Sequence, residues 1–308
     1  MQAWVYKSTG SWYVLKDDAG VVWNGRIKGV LKLNGITSTN PVAVGDRVDA
    51  EAENALEHTA IITGIESRRN YINRQSPRFK HQHHIVAANL DQSLLIATLR
   101  EPRTSQGFID RFLVACEMYH VPAVVVFNKS DRYRDKEQDA FLRLKDMYER
   151  AGYRVLLTSA ETGEGLVELG TLLHGRTTLV SGHSGVGKST LLNRLLPGGQ
   201  LRTGDISGWS GKGQHTTTFA EMFDLPGGGR IIDTPGIREF GLVDLERAEL
   251  SHYFPEMRER LAGCHFNNCK HRDEPGCAVK QAVADREISE ERYLSYLNIL
   301  DSIGEKSY

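Results

Sequence analysis

Residues 1 to about 66 alternate short apolar runs with glycine turns, a pattern typical of β-strands in a small barrel. The runs predict strands at 12–15, 20–23, 26–30, 45–50 and 60–65. Short strands at this spacing suit a closed barrel, and the OB fold is the leading candidate. An SH3-like barrel would show nearly the same pattern, so both topologies stay open.

Between about residues 90 and 245, apolar strands alternate with amphipathic helices. Continuous apolar runs, typical of strands buried on both faces, occur at 93–99, 123–127, 154–157, 177–180 and 230–232. Helices are predicted at 107–120 and 136–151. This alternation predicts a doubly wound α/β sheet.

The remaining segments have a different character. The stretch 67–89 is rich in arginine, lysine and histidine, and it is predicted to be a basic linker. Beyond about residue 245 the chain becomes polar and helical, with a final helix expected from 289 to 303. The pattern therefore divides the chain into a barrel, a linker, an α/β domain and a C-terminal domain, at 1–66, 67–89, 90–245 and 246–308.

The composition narrows the class of protein. The chain has 308 residues, of which 40% are hydrophobic and 25% charged, as in a soluble globular protein of two or three domains. No run approaches the roughly 18 apolar residues of a membrane span, and the start lacks the apolar stretch of a signal peptide. We therefore expect a cytoplasmic protein without a membrane partner, and a monomer is the default assembly. The net charge of −1 means that any nucleic-acid surface has to be local.

A glycine-rich loop after the strand at 177–180 matches the phosphate-binding pattern G-x-x-x-x-G-K-S. Its residues are Gly182, His183, Ser184, Gly185, Val186, Gly187, Lys188 and Ser189, followed by Thr190. The glycines let successive backbone N–H groups point at phosphate oxygens. Lys188 would reach the β and γ phosphates, and the Ser189 hydroxyl would bind Mg²⁺. The loop predicts that the chain binds a nucleoside triphosphate.

A second loop would select the base. It follows the strand at 123–127 and consists of Asn128, Lys129, Ser130 and Asp131. The Asp131 carboxylate can accept hydrogen bonds from the ring N–H and the exocyclic amine of guanine, and adenine would leave it unpaired. Lys129 would lie along the base and Asn128 would brace the loop. In a later loop, Ser159 and Ala160 would offer a backbone N–H to the guanine oxygen. The nucleotide is therefore predicted to be GTP.

A third loop, 233–236, follows the strand at 230–232. Asp233 would hold Mg²⁺ through water, and the N–H of Gly236 would meet the γ phosphate. The preceding glycine-rich segment, 211–218, has three threonines, of which Thr217 is the expected Mg²⁺ ligand. Its glycines indicate a loop that can order and disorder as a switch.

The cysteines indicate a metal site. Three of the four lie between Cys264 and Cys277. Cys264, Cys269 and Cys277 supply three sulfurs and His271 supplies one imidazole, which suits one closed, structural zinc site. A zinc knuckle would display the polar residues between its ligands to RNA, namely Asn267, Asn268, Lys270 and Arg272. The fourth cysteine, Cys116, lies on an apolar helical face and is predicted to be a buried thiol.

The order of the loops is the reverse of that in most GTPases, because the base-reading loop 128–131 precedes the phosphate loop 182–189. The motif set resembles that of the circularly permuted GTPases. With the barrel before it and the Cys/His cluster after it, the whole chain is similar to the RsgA (YjeQ/YloQ) family of small-subunit-dependent GTPases. The resemblance implies hydrolysis of GTP to GDP and phosphate, stimulated by the small (30S) ribosomal subunit during its late maturation. It also implies contact with ribosomal RNA.

One position departs from ordinary GTPases. Ile237 stands where many of them carry a glutamine that orients the attacking water. An aliphatic side chain cannot position water, so slow intrinsic turnover is expected. The resemblance suggests His215, in the switch loop, as the catalytic residue. A histidine that only contacts the partner is an equal alternative.

Two other functions stay open at this level. An RNA-binding assembly module could hold nucleotide as a structural ligand, which Ile237 favours and the full set of Mg²⁺ ligands disfavours. A small-molecule kinase would use ATP, and equal affinity for ATP and GTP would contradict the role given to Asp131.

Overall fold

The computed structural model describes residues 1–27, 41–75, 83–196, 220–234, 242 and 245–303. Within these ranges, no helix is both long enough and apolar enough to cross a membrane. The described chain forms an N-terminal barrel, a central α/β sheet and a helical C-terminal part.

Within the described residues the barrel has five strands: β1 (Gln2–Ser8), β2 (Tyr13–Asp17), β3 (Val22–Ile27), β4 (Arg47–Asn54) and β5 (Thr59–Ile65). They pair in the order β1-β2-β3-β5-β4, and β4 returns to β1 to close the barrel. β3 and β5 run parallel, while the other pairs are antiparallel. This closed Greek-key order is that of the OB fold, the leading candidate.

The barrel strands differ from the prediction in two places. β1 was not predicted from the sequence, although Ala3 and Val5 both point into the barrel and are fully buried. The predicted runs 20–23 and 26–30 share one strand, β3, which passes straight through Gly25, and residues 28–30 lie outside the described part of the chain. A Cβ at Gly25 would lie 2.7 Å from a methyl carbon of Leu15, so this glycine makes room for the barrel core rather than a turn.

The central sheet confirms the doubly wound α/β prediction. Its strands are β8 (Gln92–Ala97), β9 (Ala123–Phe127), β10 (Arg154–Leu157), β11 (Thr177–Ser181), β12 (Glu221–Asp224) and β13 (Arg230–Asp233). Their order is β10-β9-β8-β11-β13-β12, and all are parallel except β12, which runs antiparallel to β13. The helices are α1 (Gln106–Met118), α2 (Asp135–Arg150), α3 (Leu166–Leu173) and α4 (Lys188–Asn193). α1 and α2 pack on one face, and α3 and α4 pack on the other.

The segment predicted to be a basic linker contains two paired strands, β6 (Tyr71–Gln75) and β7 (His83–Ala88). Ile72 is fully buried and packs into the same core as α1 and α2. The segment predicted to be a basic linker is therefore β-structured at these residues. The basic side chains masked a short alternating pattern that supplies an apolar face.

The C-terminal part contains α5 (Pro255–Arg258), α6 (Ala278–Ala284) and α7 (Glu290–Ser302), and α7 confirms the predicted final helix. Its apolar core includes Val114 of α1, so it packs directly on the α/β domain. A buried ion pair crosses the same junction, because the Arg292 guanidinium donates to Asp110 on α1 at 2.6 Å.

The barrel docks on β12 at the other end of the sheet. Lys7 pairs with Glu221 in the strand register and forms an ion pair with it at 2.8 Å. The Asp224 carboxylate accepts from the Tyr6 hydroxyl and from the Lys16 ammonium group, each at 2.6 Å. The barrel therefore holds the β12–β13 hairpin at both ends of β12.

Candidate nucleotide site and metal centre

The predicted loops meet at one edge of the sheet, because each follows the carboxyl end of a parallel strand. The base-reading loop follows β9, the loop at Thr158 follows β10, and the glycine-rich loop follows β11. Asp233 ends β13, the neighbour of β11. Ligands of doubly wound sheets bind in a crevice at this edge.

Asn128 joins three of these loops. Its side chain is fully buried, and its amide donates to the Val186 carbonyl oxygen at 2.9 Å. Its amide oxygen accepts from the Thr158 hydroxyl at 3.2 Å and from the Ala160 N–H at 3.3 Å. The predicted bracing role is thus seen directly as contacts between the base-reading loop and the phosphate loop.

The close approach of Asn128 explains a glycine in the phosphate loop. Gly187 has a φ of +85°, and a Cβ there would lie 2.6 Å from Asn128 Nδ2. Any other residue would therefore be strained in backbone and would collide with Asn128. We infer that Gly187 is needed for the two loops to meet.

Lys129 adopts the left-handed conformation, with φ +65°, and turns its side chain toward the phosphate loop. Its ammonium group donates to the Gly185 carbonyl oxygen at 2.6 Å and to the carbonyl oxygen of Glu101. Burial, and then the nearby Arg132, lower the pKa of Lys129. These contacts hold its aliphatic stem across the space between the two loops.

The Asp131 carboxylate is oriented by its neighbours. The Ser159 hydroxyl donates to Asp131 Oδ1 at 2.6 Å, and the Thr162 N–H donates to that hydroxyl at 3.1 Å. Ser130 instead donates to Glu164. Ser159 therefore fixes the carboxylate that was predicted to read the base.

On the phosphate side, Lys188 forms an ion pair with Asp233. Ser189 is half-buried at the start of α4, while Ser184, Gly185 and Thr190 are exposed. Two buried hydroxyls beside these residues, those of Ser181 and Thr234, have no hydrogen-bond partner within the described ranges. The oxygen donors grouped here are of the kind that Mg²⁺ prefers.

The remaining predicted site residues are His183 and those of the two loops around 211–218 and 233–237. The His183 ring packs on Phe108 of α1 with ring centroids 3.7 Å apart. His215, Thr217, Gly236 and Ile237 lie outside the described residues.

Two residues that stabilise the loops of the site belong to no sequence motif. The Arg194 guanidinium donates to the Ala160 carbonyl oxygen at 3.0 Å, which ties α4 to the loop after β10. The Tyr133 hydroxyl contacts the backbone of Asn128. Both lie just beyond a recognised motif, where spacing alone indicates no role.

The Cys/His residues converge in the C-terminal part. One ligand atom from each of Cys264, Cys269, His271 and Cys277 lies within 4.8 Å of all the others. His271 Nδ1 lies 3.6 Å from the sulfur of Cys264 and 3.3 Å from that of Cys277. Burial raises the pKa of the Cys269 thiol to about 12, so a cation is needed to hold it as a thiolate. The cluster could hold a metal ion.

The loop that carries the cluster is fixed independently of its ligands. The Tyr293 and Tyr296 hydroxyls of α7 donate to the carbonyl oxygens of His271 and Lys270, at 2.6 Å and 2.9 Å. The Glu274 carboxylate accepts three backbone N–H groups, those of Lys270, Arg272 and Asp273. Although burial acts to raise it, these bonds lower the pKa of Glu274 to about 2. The loop is therefore preorganised around a charged carboxylate.

Comparison with known proteins decides the family. The model of the RsgA GTPase matches residues 65–243, and that of the RsgA N-terminal domain matches 2–61. A protein from Bacteroides fragilis named small ribosomal subunit biogenesis GTPase RsgA is 51% identical over 308 residues, which is 100% of this chain and 99% of that protein. The chain belongs to the RsgA GTPase family. This confirms the resemblance drawn from the loop order.

Other members of the RsgA family agree. A relative of the same name from Flavobacterium psychrophilum is 50% identical over 302 residues, covering 98% of this chain and 93% of that protein. The crystal structure of YjeQ from Thermotoga maritima matches with a TM-score of 0.81 and 32% identity, covering 99% of both chains. The crystal structure of YloQ, described as a circularly permuted GTPase, matches with a TM-score of 0.77 and 30% identity, covering 100% of this chain and 96% of that one. The permuted GTPase fold is therefore confirmed.

Proposed function

We propose that this chain hydrolyses GTP to GDP and phosphate, and that it does so on the small ribosomal subunit during its late maturation. The observation that carries this proposal is the bridge made by Asn128, which joins a guanine-reading loop to a phosphate-binding loop. Such a bridge serves a ligand that spans both loops. The names of the relatives in this family supply the small ribosomal subunit as the partner.

The base is read by Asp131, as two hydrogen bonds from guanine to a carboxylate that Ser159 already orients. Lys129 would lie along the base. The Ser159 N–H donates to the Glu164 carbonyl oxygen and the Ala160 N–H to Asn128 Oδ1 at 3.3 Å. The proposed contact of this loop with the guanine oxygen therefore requires the Ala160 N–H to exchange Asn128 for the base. ATP is disfavoured because adenine would leave the Asp131 carboxylate unpaired.

The phosphates would be held by the loop 182–189 with Thr190, and the N–H of Gly236 would meet the γ phosphate. Lys188, which the structure places beside Asp233, would neutralise the β and γ phosphates. Ser189, Asp233 and Thr217 would hold Mg²⁺, which supplies charge stabilisation when bound. Because Ile237 cannot orient water, we assign His215 the role of positioning the attacking water when the subunit is bound.

The barrel contact suggests how the partner reaches this site. The β12–β13 hairpin follows the segment with His215 and Thr217 in the chain and ends at Asp233. Its residues Glu221 and Asp224 form ion pairs with Lys7 and Lys16 of the barrel. A shift of the barrel on ribosomal RNA would therefore move this hairpin and the Asp233 carboxylate at its end. The chain is proposed to act in the cytoplasm as a monomer, with the domain limits given by the sequence pattern.

The metal of the Cys/His cluster is proposed to be one structural Zn²⁺, because three thiolates and one imidazole match its preference for soft, tetrahedral donor sets. It would staple a knuckle that displays Lys270 and Arg272 to ribosomal RNA. Phe266, which is 41% exposed between the ligands, adds an aromatic face to that surface.

Cys277→Ser tests the zinc assignment. Cys277 is the N-cap of α6, where its sulfur accepts the Lys280 N–H, and serine preserves that cap while removing the thiolate ligand. We expect about one zinc per chain in the wild type and a loss of most of it in the variant. Elemental analysis after gel filtration measures both. Cys116→Ala, which removes a buried thiol outside the cluster, should retain full zinc, and a wild-type chain without zinc would contradict the assignment.

Co-sedimentation tests the partner. We expect the chain to pellet with purified small subunits in a non-hydrolysable GTP analogue, and to pellet at least about tenfold more weakly in GDP, because the switch segments sense the γ phosphate. Large subunits serve as the control for non-specific binding to ribosomal RNA. Equal pelleting with large and small subunits, or none in any nucleotide state, would rule out this partner.

A further inference from the structure

Tyr133 lies directly beneath the guanine-reading loop. It follows the short 3₁₀ turn Ser130–Arg132, and its side chain folds back under the residues that precede that turn. The hydroxyl donates to the Asn128 carbonyl oxygen at 2.9 Å and accepts from the Leu99 N–H at 3.1 Å. It therefore connects the backbones that leave the adjacent strands β8 and β9.

The environment of Tyr133 makes these bonds persistent. The side chain packs into the apolar core under the sheet, and the residue is only 8% exposed. Burial raises its pKa to about 12, although the Leu99 N–H acts to lower it. The phenol therefore stays protonated as a donor at any physiological pH. A hydroxyl in this position uses its proton and one lone pair on backbone groups of two different segments.

The two segments that Tyr133 joins also hold Lys129. The segment after Leu99 reaches Glu101, whose carbonyl oxygen accepts from the Lys129 ammonium group. Lys129 follows Asn128 directly and is held in the left-handed conformation. The contacts thus form a closed ring from Tyr133 through Leu99, Glu101 and Lys129 back to Asn128. Breaking the ring at Tyr133 frees both backbone segments that fix the lysine.

We propose that Tyr133 is a positioning residue that sets guanine specificity. It holds the backbone of the Asn128–Asp131 loop in the position from which the loop's side chains contact the base. The proposal rests on the proposed function, since it presupposes that this loop reads guanine. Because Tyr133 is only 8% exposed beneath this loop, we assign it no direct contact with the nucleotide. It acts through the backbone of Asn128 and through the carbonyl oxygen of Glu101 that binds Lys129. Loss of its hydroxyl therefore affects base discrimination more than phosphate binding.

Tyr133→Phe isolates this role, because it removes one hydroxyl and keeps the buried ring. Affinities for GDP, IDP and ADP are measured by calorimetry on the full chain with its metal. IDP lacks the exocyclic amine, so the ratio of GDP to IDP affinity reports the contact with Asp131. We expect GDP affinity to fall about tenfold and IDP affinity to fall about threefold or less, so that the ratio shrinks. The ratio does not depend on the fraction of folded protein.

Turnover provides the second measurement. At saturating GTP, kcat in the presence of small subunits should stay within about twofold of the wild type while KM rises. Tyr153→Phe is the matched control, because it removes another buried hydroxyl of the same domain, which contacts Glu117 at 3.4 Å. That variant should leave the ratio of GDP to IDP affinity unchanged.

The proposal is overturned if Tyr133→Phe binds GDP as tightly as the wild type. It is also overturned if GDP and IDP affinities fall by the same factor, which would indicate general loosening of the domain. A wild-type chain that binds ADP as well as GDP contradicts the proposed function instead, and that result is independent of the variant.

Discussion

Asp131→Asn is expected to weaken GTP binding by about two to four orders of magnitude, since two hydrogen bonds to a charged group are each worth about 1.5–3 kcal/mol. The same variant should gain affinity for xanthosine triphosphate. An asparagine amide can donate to the 2-oxo group of xanthine, whereas the native carboxylate would face it as a second acceptor. Direct calorimetric titration with each nucleotide measures both affinities.

Asp139→Asn is the matched control for this exchange. It removes the same charge from an exposed position on α2, and both nucleotide affinities should remain those of the wild type. If Asp131→Asn kept GTP affinity within about threefold, less than 1 kcal/mol would be involved, and Asp131 would not be the guanine reader.

Arg292→Met is expected to give the largest loss of stability, about 3–5 kcal/mol in the free energy of unfolding. Arg292 is 1% exposed and lies between two carboxylates, Asp110 at 2.6 Å and Glu256 at 2.8 Å. Burial alone would lower the pKa of Arg292, but these carboxylates raise it well above its usual value. Methionine would leave two buried charges without a counterion. Urea unfolding followed by circular dichroism measures the change.

A surface pair across the same junction provides the control. Arg143 on α2 pairs with Glu291 on α7, and their side chains are 57% and 42% exposed. Arg143→Ala should cost less than about 1 kcal/mol, because an exposed ion pair is screened by water and salt. If the two variants lost equal stability, burial of the Arg292 cluster would not be the cause.

The loops of the site could be predicted because their signals are local and their meeting place follows from topology. The glycine-rich loop and the Asn128–Asp131 loop are short motifs, and each follows an apolar run that reads as a buried strand. Carboxyl ends of parallel strands share one edge of a sheet, so the motifs had to converge. The Cys/His ligands could be placed together for a simpler reason, because they lie close in sequence.

The parts that were missed depend on contacts between distant residues. Gly25 looks like a turn until Leu15 is seen across the barrel. Arg292 and Asp110 look like surface charges, because only the fold shows that each is the buried partner of the other. Tyr133 looks like an ordinary core aromatic, and its role becomes visible only through its two backbone partners. In each case the sequence states the residue type, and the partner is supplied by the tertiary structure.

GTP turnover, titrated with purified small ribosomal subunits, tests the central claim most directly. We expect slow phosphate release from the chain alone and a saturable rise of at least about tenfold with small subunits, because His215 is proposed to position the attacking water only when the partner is bound. In His215→Ala the rise should be lost while GDP affinity is kept. A rate that small subunits leave unchanged would contradict the account.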